Sequence, residues 1–352
     1  MKEKVLVIPI FIPHAGCPHD CIYCNQKAIT GESVSLPTKE KVEETIKEFL
    51  GFSRIGVRKE CYVAFYGGTF TALPRITQEQ LLGVAQDFVD RGLVKGIRFS
   101  TRPDYITSEE LDFLEKYNIV AIELGAQSMD DAVLKAAARG HTAETTSVAS
   151  RLIKDLGLEL GIQVMIGLPK ETEDSFRRTI REVISLGPGF VRIYPTLVVK
   201  DSALAEIYRL GKYKALSLEK AVKLALEAYT EFKRADIRVI RMGLQAEPWF
   251  DRGDTVIAGP YHPSFGELVV SAYYDKLITP VLKSIEDISD YIEIRVPVHL
   301  VSQVRGHRNT NIRKWTEMFG VTSIEVKGIN GLQQEITIRS GKREWKINSQ
   351  EL

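Results

Sequence analysis

Pro13-His14-Ala15-Gly16-Cys17-Pro18-His19-Asp20-Cys21-Ile22-Tyr23-Cys24-Asn25-Gln26 follows directly on an apolar, β-rich run, Val5–Pro13. Three of the four cysteines stand here, spaced C-x3-C-x2-C. Thiolates at this spacing suit a loop wrapped over one face of an iron–sulfur cube, because cysteine thiolates are the usual ligands of such clusters. A cube has one more iron than three thiolates can hold. An iron left open can bind a substrate or cofactor, which is the mark of a catalytic cluster. A zinc knuckle is the other reading of the loop; it needs a fourth Cys or His, which His14 or His19 could supply.

The rest of the composition sets bounds. The chain has 352 residues, 44% hydrophobic and 26% charged, with a formal net charge of +1. That is the composition of an ordinary globular protein with a large core, and the length suits one large unit plus a small one. Met1-Lys2-Glu3-Lys4 runs into a strand-like stretch without a signal-peptide pattern, and no apolar run approaches a membrane span. Clustered cysteines argue against a disulfide framework. A reducing, cytoplasmic setting is therefore expected.

From the cysteine loop onward, strand-like and helical patterns alternate. Strands are predicted over Cys61–Tyr66, Gly96–Ser100, Val120–Gly125, Leu160–Ile166, Phe190–Tyr194 and Arg238–Met242. Helices are predicted over Lys39–Leu50, Thr77–Arg91 with a Thr cap, Ser108–Tyr117, Asp130–Ala138, Ala143–Leu156, Glu173–Ser185 and Leu218–Arg234. Apolar strands alternating with amphipathic helices predict a parallel sheet with crossover helices. The fold class expected is α/β, a partial or full parallel (β/α) TIM-type barrel with a small α+β unit at its C-terminal end. No G-x-G-x-x-G follows the first strand, which lowers the dinucleotide-binding alternative. Barrel sites lie at the carboxyl ends of the strands. Gly67-Gly68-Thr69, Thr101-Arg102-Pro103, Gln127-Ser128, Gly167-Leu168-Pro169 and Tyr194-Pro195-Thr196 all fall there, as does the cysteine loop.

With Tyr23 just before its last cysteine, the loop resembles the radical S-adenosylmethionine (SAM) signature. The resemblance implies a 4Fe-4S cluster on Cys17, Cys21 and Cys24, with SAM chelated at the open iron. Reduction then cleaves SAM to methionine and a 5′-deoxyadenosyl radical. It also implies that Gly67, Gly68 and Thr69 meet the methionine amino group, although relatives often carry an acidic residue where Thr69 stands. Arg139 is implied opposite the methionine carboxylate. Gln127 and Gly167 are implied around the ribose and adenine, and Tyr23 beside the cofactor. Ser100 stands where relatives often have a glutamate. Cys61 opens a buried strand and is expected to be a packed thiol.

Ser100-Thr101-Arg102-Pro103-Asp104-Tyr105, Glu123-Leu124-Gly125-Ala126-Gln127-Ser128, Arg139-Gly140-His141-Thr142, Ile193-Tyr194-Pro195-Thr196-Leu197-Val198 and Arg209-Leu210-Gly211-Lys212-Tyr213-Lys214 occur in this order. As a set they resemble the radical-SAM half of the catalytic subunit of the elongator complex, which modifies wobble uridines of tRNA. The sequence shows neither that enzyme's long N-terminal extension nor its acetyltransferase domain, so its carboxymethyl-type chemistry is not implied. Too few cysteines remain for a second cluster, as in methylthiotransferases, or for a dual-cysteine RNA methylase. There is no room for a cobalamin-binding domain. A second SAM, as in oxygen-independent coproporphyrinogen oxidases, stays open.

Past residue 250 the pattern changes. Residues 1–250 are expected as the barrel, 251–289 as a linker with a helix, and 290–352 as a separate unit. Val296-Pro297 leads into a helix, the loop Gly306-His307-Arg308-Asn309 and a second helix through Arg313 and Lys314. The strands Ser323–Val326 and Glu335–Ile338 follow. The unit resembles a KH domain, whose G-x-x-G loop clamps nucleotide backbone; here Asn309 takes the place of the second glycine. Cations outnumber acids in this tail, as expected of a phosphate-binding surface. The function expected is a radical SAM enzyme acting on RNA, tRNA or rRNA, with a flavodoxin or ferredoxin as reductant and no membrane partner. The alternatives are a small-molecule or protein substrate, or a non-catalytic iron–sulfur RNA-binding protein.

Overall fold

The computed structural model describes residues 5–12, 17, 20–25, 35–52, 60–244, 255–332 and 335–348. His14 and His19, the residues that could complete a zinc knuckle, lie outside these. Alternation along each strand sends successive side chains to opposite faces. In β1 (Val5–Ile12), Ile8, Ile10 and Ile12 are buried against helices, whereas Phe11 faces out of the core. The same rule places Val63 and Phe65 of β2 (Glu60–Gly67), and Ile97 and Phe99 of β3 (Gly96–Thr101), in the core. Their neighbours Tyr66, Arg98 and Ser100 take the other face.

With β4 (Ile119–Gln127), β5 (Glu159–Ile166) and β6 (Phe190–Pro195), these strands pair in parallel. The short β7 (Val198–Val199) leaves the sheet, and β8 (Arg238–Met242) closes it on β6. The seven-stranded order is β1-β2-β3-β4-β5-β6-β8. Among the described residues the two edge strands do not pair with each other, so the sheet is a curled half-barrel. The expected alternatives, partial or full, resolve to partial. β7 pairs antiparallel with β9 (Val256–Ala258).

Helices α1 (Lys39–Phe52), α2 (Arg75–Asp90), α3 (Ser108–Leu114), α5 (Ala143–Asp155), α6 (Glu173–Leu186) and α8 (Leu218–Arg234) cover the outer face, while α4 (Asp131–Ala136) and α7 (Ala203–Arg209) pack against Tyr23 and Ile22 of the cysteine loop. α5 and α6 open on capping boxes set by Thr142 and Thr172, which satisfy amides the helix itself leaves free. α2 begins two residues earlier than Thr77. Pro74 precedes its first turn and no side chain caps it, because proline fixes the entry φ and needs no amide partner.

The segment 251–289, expected as a linker with a helix, carries α9 (Phe265–Lys283), and this helix is buried on two sides. Phe265 and Val269 join the half-barrel core, while Tyr273, Tyr274, Leu277 and Ile278 join the C-terminal core. The C-terminal unit runs β10 (Tyr291–Pro297), α10 (Val301–Arg305), α11 (Thr310–Phe319), β11 (Ser323–Ile329), β12 (Glu335–Ser340) and β13 (Arg343–Asn348). Its sheet order is β11-β10-β12-β13. β13 escapes the sequence reading because Trp345 and Ile347 alone carry its apolar alternation.

Candidate active site

The cysteine loop leaves β1 and is held by the end of β2. The Gly68 amide donates to the Ile12 carbonyl at 2.6 Å. Gly67 has φ +111°, and a Cβ there would lie 2.9 Å from the Ile12 oxygen, so only glycine lets the two strand ends close up. Thr69, almost fully buried, brings its hydroxyl within 3.4 Å of Cys17 Sγ. On the far side of the loop, the Ile22 amide donates to the Ala137 carbonyl, and Asn25 Nδ2 donates to the Lys200 carbonyl at 2.7 Å. Tyr23 packs with Val133, Ala137, Met165 and Leu168. Burial pushes its phenol up, and the nearby Arg139 guanidinium opposes that shift.

Arg139 is buried and spans two elements. Its Nη1 donates to Cys21 Sγ at 3.1 Å and its Nη2 to the Gly125 carbonyl at 2.5 Å, at the end of β4. Arg102 in turn donates to the Arg139 carbonyl and grips both oxygens of Asp104, at 2.9 and 2.8 Å. The resemblance sets Arg139 against a methionine carboxylate; the structure places it on the cysteine loop and the β4 end. His141 lies beside it. Burial, then the Arg139 charge, depress the imidazole to about 4, and Nδ1 contacts the Thr142 carbonyl at 3.3 Å.

Further along the rim, Gln127 ends β4 at φ +69°, beside a register shift against β5. Its Oε1 is buried without a hydrogen-bond partner, as are His141 Nε2 and Thr196 Oγ1. Gly167, at φ +84°, has no room for a Cβ beside Leu216. Its amide donates to Glu171 Oε2 at 2.5 Å, and its carbonyl accepts from the Tyr213 hydroxyl at 2.6 Å. Burial raises the Glu171 carboxyl to about 8, against the lowering effect of the Gly167 and Leu168 amides. Sequence reasoning missed Glu171 and His141 as site groups, and named Tyr213 and Thr196 only within motifs.

The floor of the half-barrel was also missed. Glu123, fully buried on β4, accepts from Arg192 Nε at 2.6 Å, from Arg98 Nη2 at 3.3 Å and from the Tyr66 hydroxyl at 3.0 Å. Arg192 also donates to Tyr66 at 3.0 Å. Two guanidiniums around one carboxylate leave the floor cationic. Gly161 makes the layer possible, since a Cβ there would overlap the Phe190 ring, on which Arg98 stacks at 4.7 Å. The signal available in the sequence was a polar side chain at alternate positions inside otherwise apolar strands.

The three thiols occupy the mouth of this face, and none of the four cysteines forms a disulfide. Among the described residues no three His, Cys, Asp or Glu side chains stand together as a metal-holding group; Cys17 turns to Thr69 and Cys21 to Arg139. The fit to an iron–sulfur cluster therefore rests on donor chemistry and place. Three half-buried thiols share one loop, one of them within hydrogen-bond distance of a buried guanidinium. The orphaned polar atoms of Gln127 and Thr196, at the ends of β4 and β6, suit a polar cofactor.

The RNA-binding candidates lie on the C-terminal unit. Gly306 has φ +77°, with no space for a Cβ beside Thr310 and Asn311. Arg308 and Asn309 are both left-handed, at φ 52° and 61°, so Asn309 takes a backbone conformation that glycine adopts readily. His307 Nδ1 stands 4.0 Å from Glu267. Arg313 is exposed, and Lys314 pairs with Asp275 at 2.5 Å. No helix among the described residues is long and apolar enough to cross a membrane.

Comparison with known proteins agrees with this geometry. Residues 11–183 match the Radical SAM superfamily and residues 188–275 the radical SAM C-terminal domain. The chain is 33% identical over 263 residues to a tRNA uridine(34) acetyltransferase of Methanocaldococcus infernus, across 62% of this chain and 48% of that one. It is 29% identical over 268 residues to Elongator complex protein 3 of Homo sapiens, again across 62% and 48%. The chain thus spans about half the length of these relatives. A solved structure of the archaeal Methanocaldococcus infernus Elp3, lacking its N-terminus, superposes with TM-score 0.61 at 22% identity, covering 78% of this chain and 64% of that one. It has the same half-barrel fold. The chain belongs to the radical SAM superfamily.

Proposed function

We propose that the protein is a radical SAM enzyme that modifies RNA, with tRNA as the favoured substrate. The observation that carries the reading is that the three-thiol loop, tied to Thr69 and Arg139, stands at the same carboxyl end of the sheet as the orphaned polar atoms of Gln127 and Thr196. Cys17, Cys21 and Cys24 would hold a 4Fe-4S cluster. When bound with SAM and reduced by a flavodoxin- or ferredoxin-type donor, that cluster supplies one-electron cleavage of SAM to a deoxyadenosyl radical. Gly67 and Gly68 would offer backbone to the methionine end, with Thr69 steadying Cys17. Gln127 and Gly167 would border the nucleoside end. Tyr23, half-buried against Met165 and Leu168, would exclude water from the loop's inner side.

The RNA part of the reading is supported by the tRNA- and elongator-named relatives and by the KH-like helix–loop–helix with its exposed Arg308 and Arg313. The group transferred is not implied, because these relatives are about twice as long as the matched segment. The test is anaerobic. Reconstituted protein is given SAM, dithionite and unfractionated tRNA, and 5′-deoxyadenosine is measured with and without the RNA. Stimulation by tRNA is expected. Cleavage indifferent to RNA would redirect the search to small molecules or proteins, and no cleavage would leave a non-catalytic iron–sulfur protein.

A further inference from the structure

The carboxyl end of β8 is one edge of the half-barrel mouth; the cysteine loop leaves from β1, the other edge. Gly243 follows β8, and its amide donates to the Ile193 carbonyl of β6 at 2.9 Å. A Cβ on Gly243 would lie 2.8 Å from Phe265 Cβ, and one on Gly266 would lie 3.2 Å from the Met242 carbonyl. The start of α9 therefore rests on the end of β8. The loop between α10 and α11 meets the same place from the other side. The His262 and His307 rings stand edge to face, 5.4 Å apart, and His307 reaches toward Glu267. The KH-like loop thus does not project from a remote unit; it borders the mouth.

We propose that the turn at His262 and the loop Gly306–Asn309 form one basic lip on the β8 edge. This lip grips the sugar–phosphate backbone of a single-stranded RNA segment and leads its next nucleotide over β8 into the half-barrel. The inference rests on the RNA reading above and adds where the strand lies. Three observations converge on it. Arg308 and Asn309 hold left-handed backbone, which a non-glycine residue keeps only where its surroundings impose it; Arg308 and Arg313 are exposed, whereas Arg305 donates to the Val326 carbonyl of β11 at 3.2 Å. At the seam the His262 and His307 rings meet, with His307 Nδ1 4.0 Å from Glu267. Beyond the lip, Arg241 on β8 and the floor pair Arg98 and Arg192, matched by Glu123 alone, continue the cationic track inward. A phosphodiester chain fits such a track, because backbone contacts of this kind are electrostatic and independent of sequence.

The experiment uses the full chain and fluorescein-labelled unfractionated tRNA, followed by anisotropy over a KCl series. The variant His262→Ala/Arg308→Ala is compared with Arg343→Ala/Lys346→Ala on β13. The lip variant is expected to bind about tenfold more weakly, with a salt slope reduced by about one, while the β13 variant stays within about twofold of wild type. If wild type binds tRNA and the lip variant binds equally well, the lip is wrong and the RNA reading survives. Equal losses in both variants would mean diffuse charge and would also overturn the lip. If wild type does not bind tRNA, the RNA reading itself fails. Should the lip variant misfold, photocrosslinking of 4-thiouridine-substituted tRNA to the wild-type chain decides. Crosslinks on peptides spanning 262–267 or 300–313 are expected, and crosslinks confined to other surfaces overturn the assignment.

Discussion

Arg139 Nη1 lies 3.1 Å from Cys21 Sγ although 118 positions separate them in the chain. The same side chain ties that sulfur to the Gly125 carbonyl at the end of β4, and its own carbonyl is held by Arg102. Iron is ligated by the thiolate, whose negative charge the Arg139 guanidinium would face across that contact. Hydrogen bonds to cluster sulfurs also raise the potential of the cluster they hold.

Arg139→Gln removes that charge and is expected to lower both the iron retained after reconstitution and the midpoint potential of what remains. Iron and sulfide analysis with a spectroelectrochemical titration measures both. Wild-type iron content and potential, coupled with weakened SAM binding, would instead return Arg139 to the methionine carboxylate.

Gly67→Ala places a methyl group 2.9 Å from the Ile12 carbonyl at a φ of +111°. Both the contact and the backbone conformation oppose it. We expect a loss of about 1–3 kcal/mol in stability, together with reduced iron loading, because β1 and β2 must part where the cysteine loop begins. A Gly67→Ala protein with wild-type urea midpoint and iron content would show that the close approach is dispensable.

Glu171 gives a pH signature. Its carboxyl is raised by burial from 4.5 to about 8 in the folded chain. Between those values the unfolded chain releases the proton while the folded chain keeps it. The contribution to stability is therefore complete below about 4.5, declines as pH rises and is lost above about 8, at a slope of up to ~1.4 kcal/mol per pH unit. Glu171→Gln carries no titrating group and escapes the decline. Urea unfolding of both proteins at low and high ends of this window should show the variant gaining on wild type as pH rises; a difference independent of pH would contradict the assignment.

Trp315 joins the C-terminal unit to α9. It is fully buried, and its indole N–H donates to Asp275 Oδ1 at 2.9 Å and Thr279 Oγ1 at 3.0 Å. Trp315→Ala should cost about 3–5 kcal/mol, and Trp315→Phe, which keeps a ring but leaves Asp275 and Thr279 without that donor, about 1–3 kcal/mol. Equilibrium unfolding followed by circular dichroism gives both values. An alanine variant as stable as wild type would mean that the two cores are not coupled through this side chain.

Much of this was legible along the chain because the signals are local. The spacing of Cys17, Cys21 and Cys24 is a property of one loop. The alternation of β-rich and helical patterns gave the helix Leu218–Arg234 and the strand Arg238–Met242 at the bounds observed. Glycines at the ends of β2 and β5 stood out because close backbone approach leaves a compositional mark. Where one local signal competed with another, the reading slipped: Thr77 read as a cap, although Pro74 sets the start of α2.

Residue order and type thus determined the half-barrel's class, the loop that carries its thiols and the rim of strand ends where the candidate site residues stand, since strand period, helix period and turn chemistry all act within a few residues. Only the tertiary structure decided that Arg139 meets Cys21, that Arg98, Arg192 and Tyr66 converge on Glu123, and that His307 of the Gly306 loop lies against His262. It also decided that the sheet stays open. These relations depend on which distant strands become neighbours and which way alternate side chains point once the sheet curls. Pairing and curvature are set by packing across the whole core, and no short window of sequence contains them.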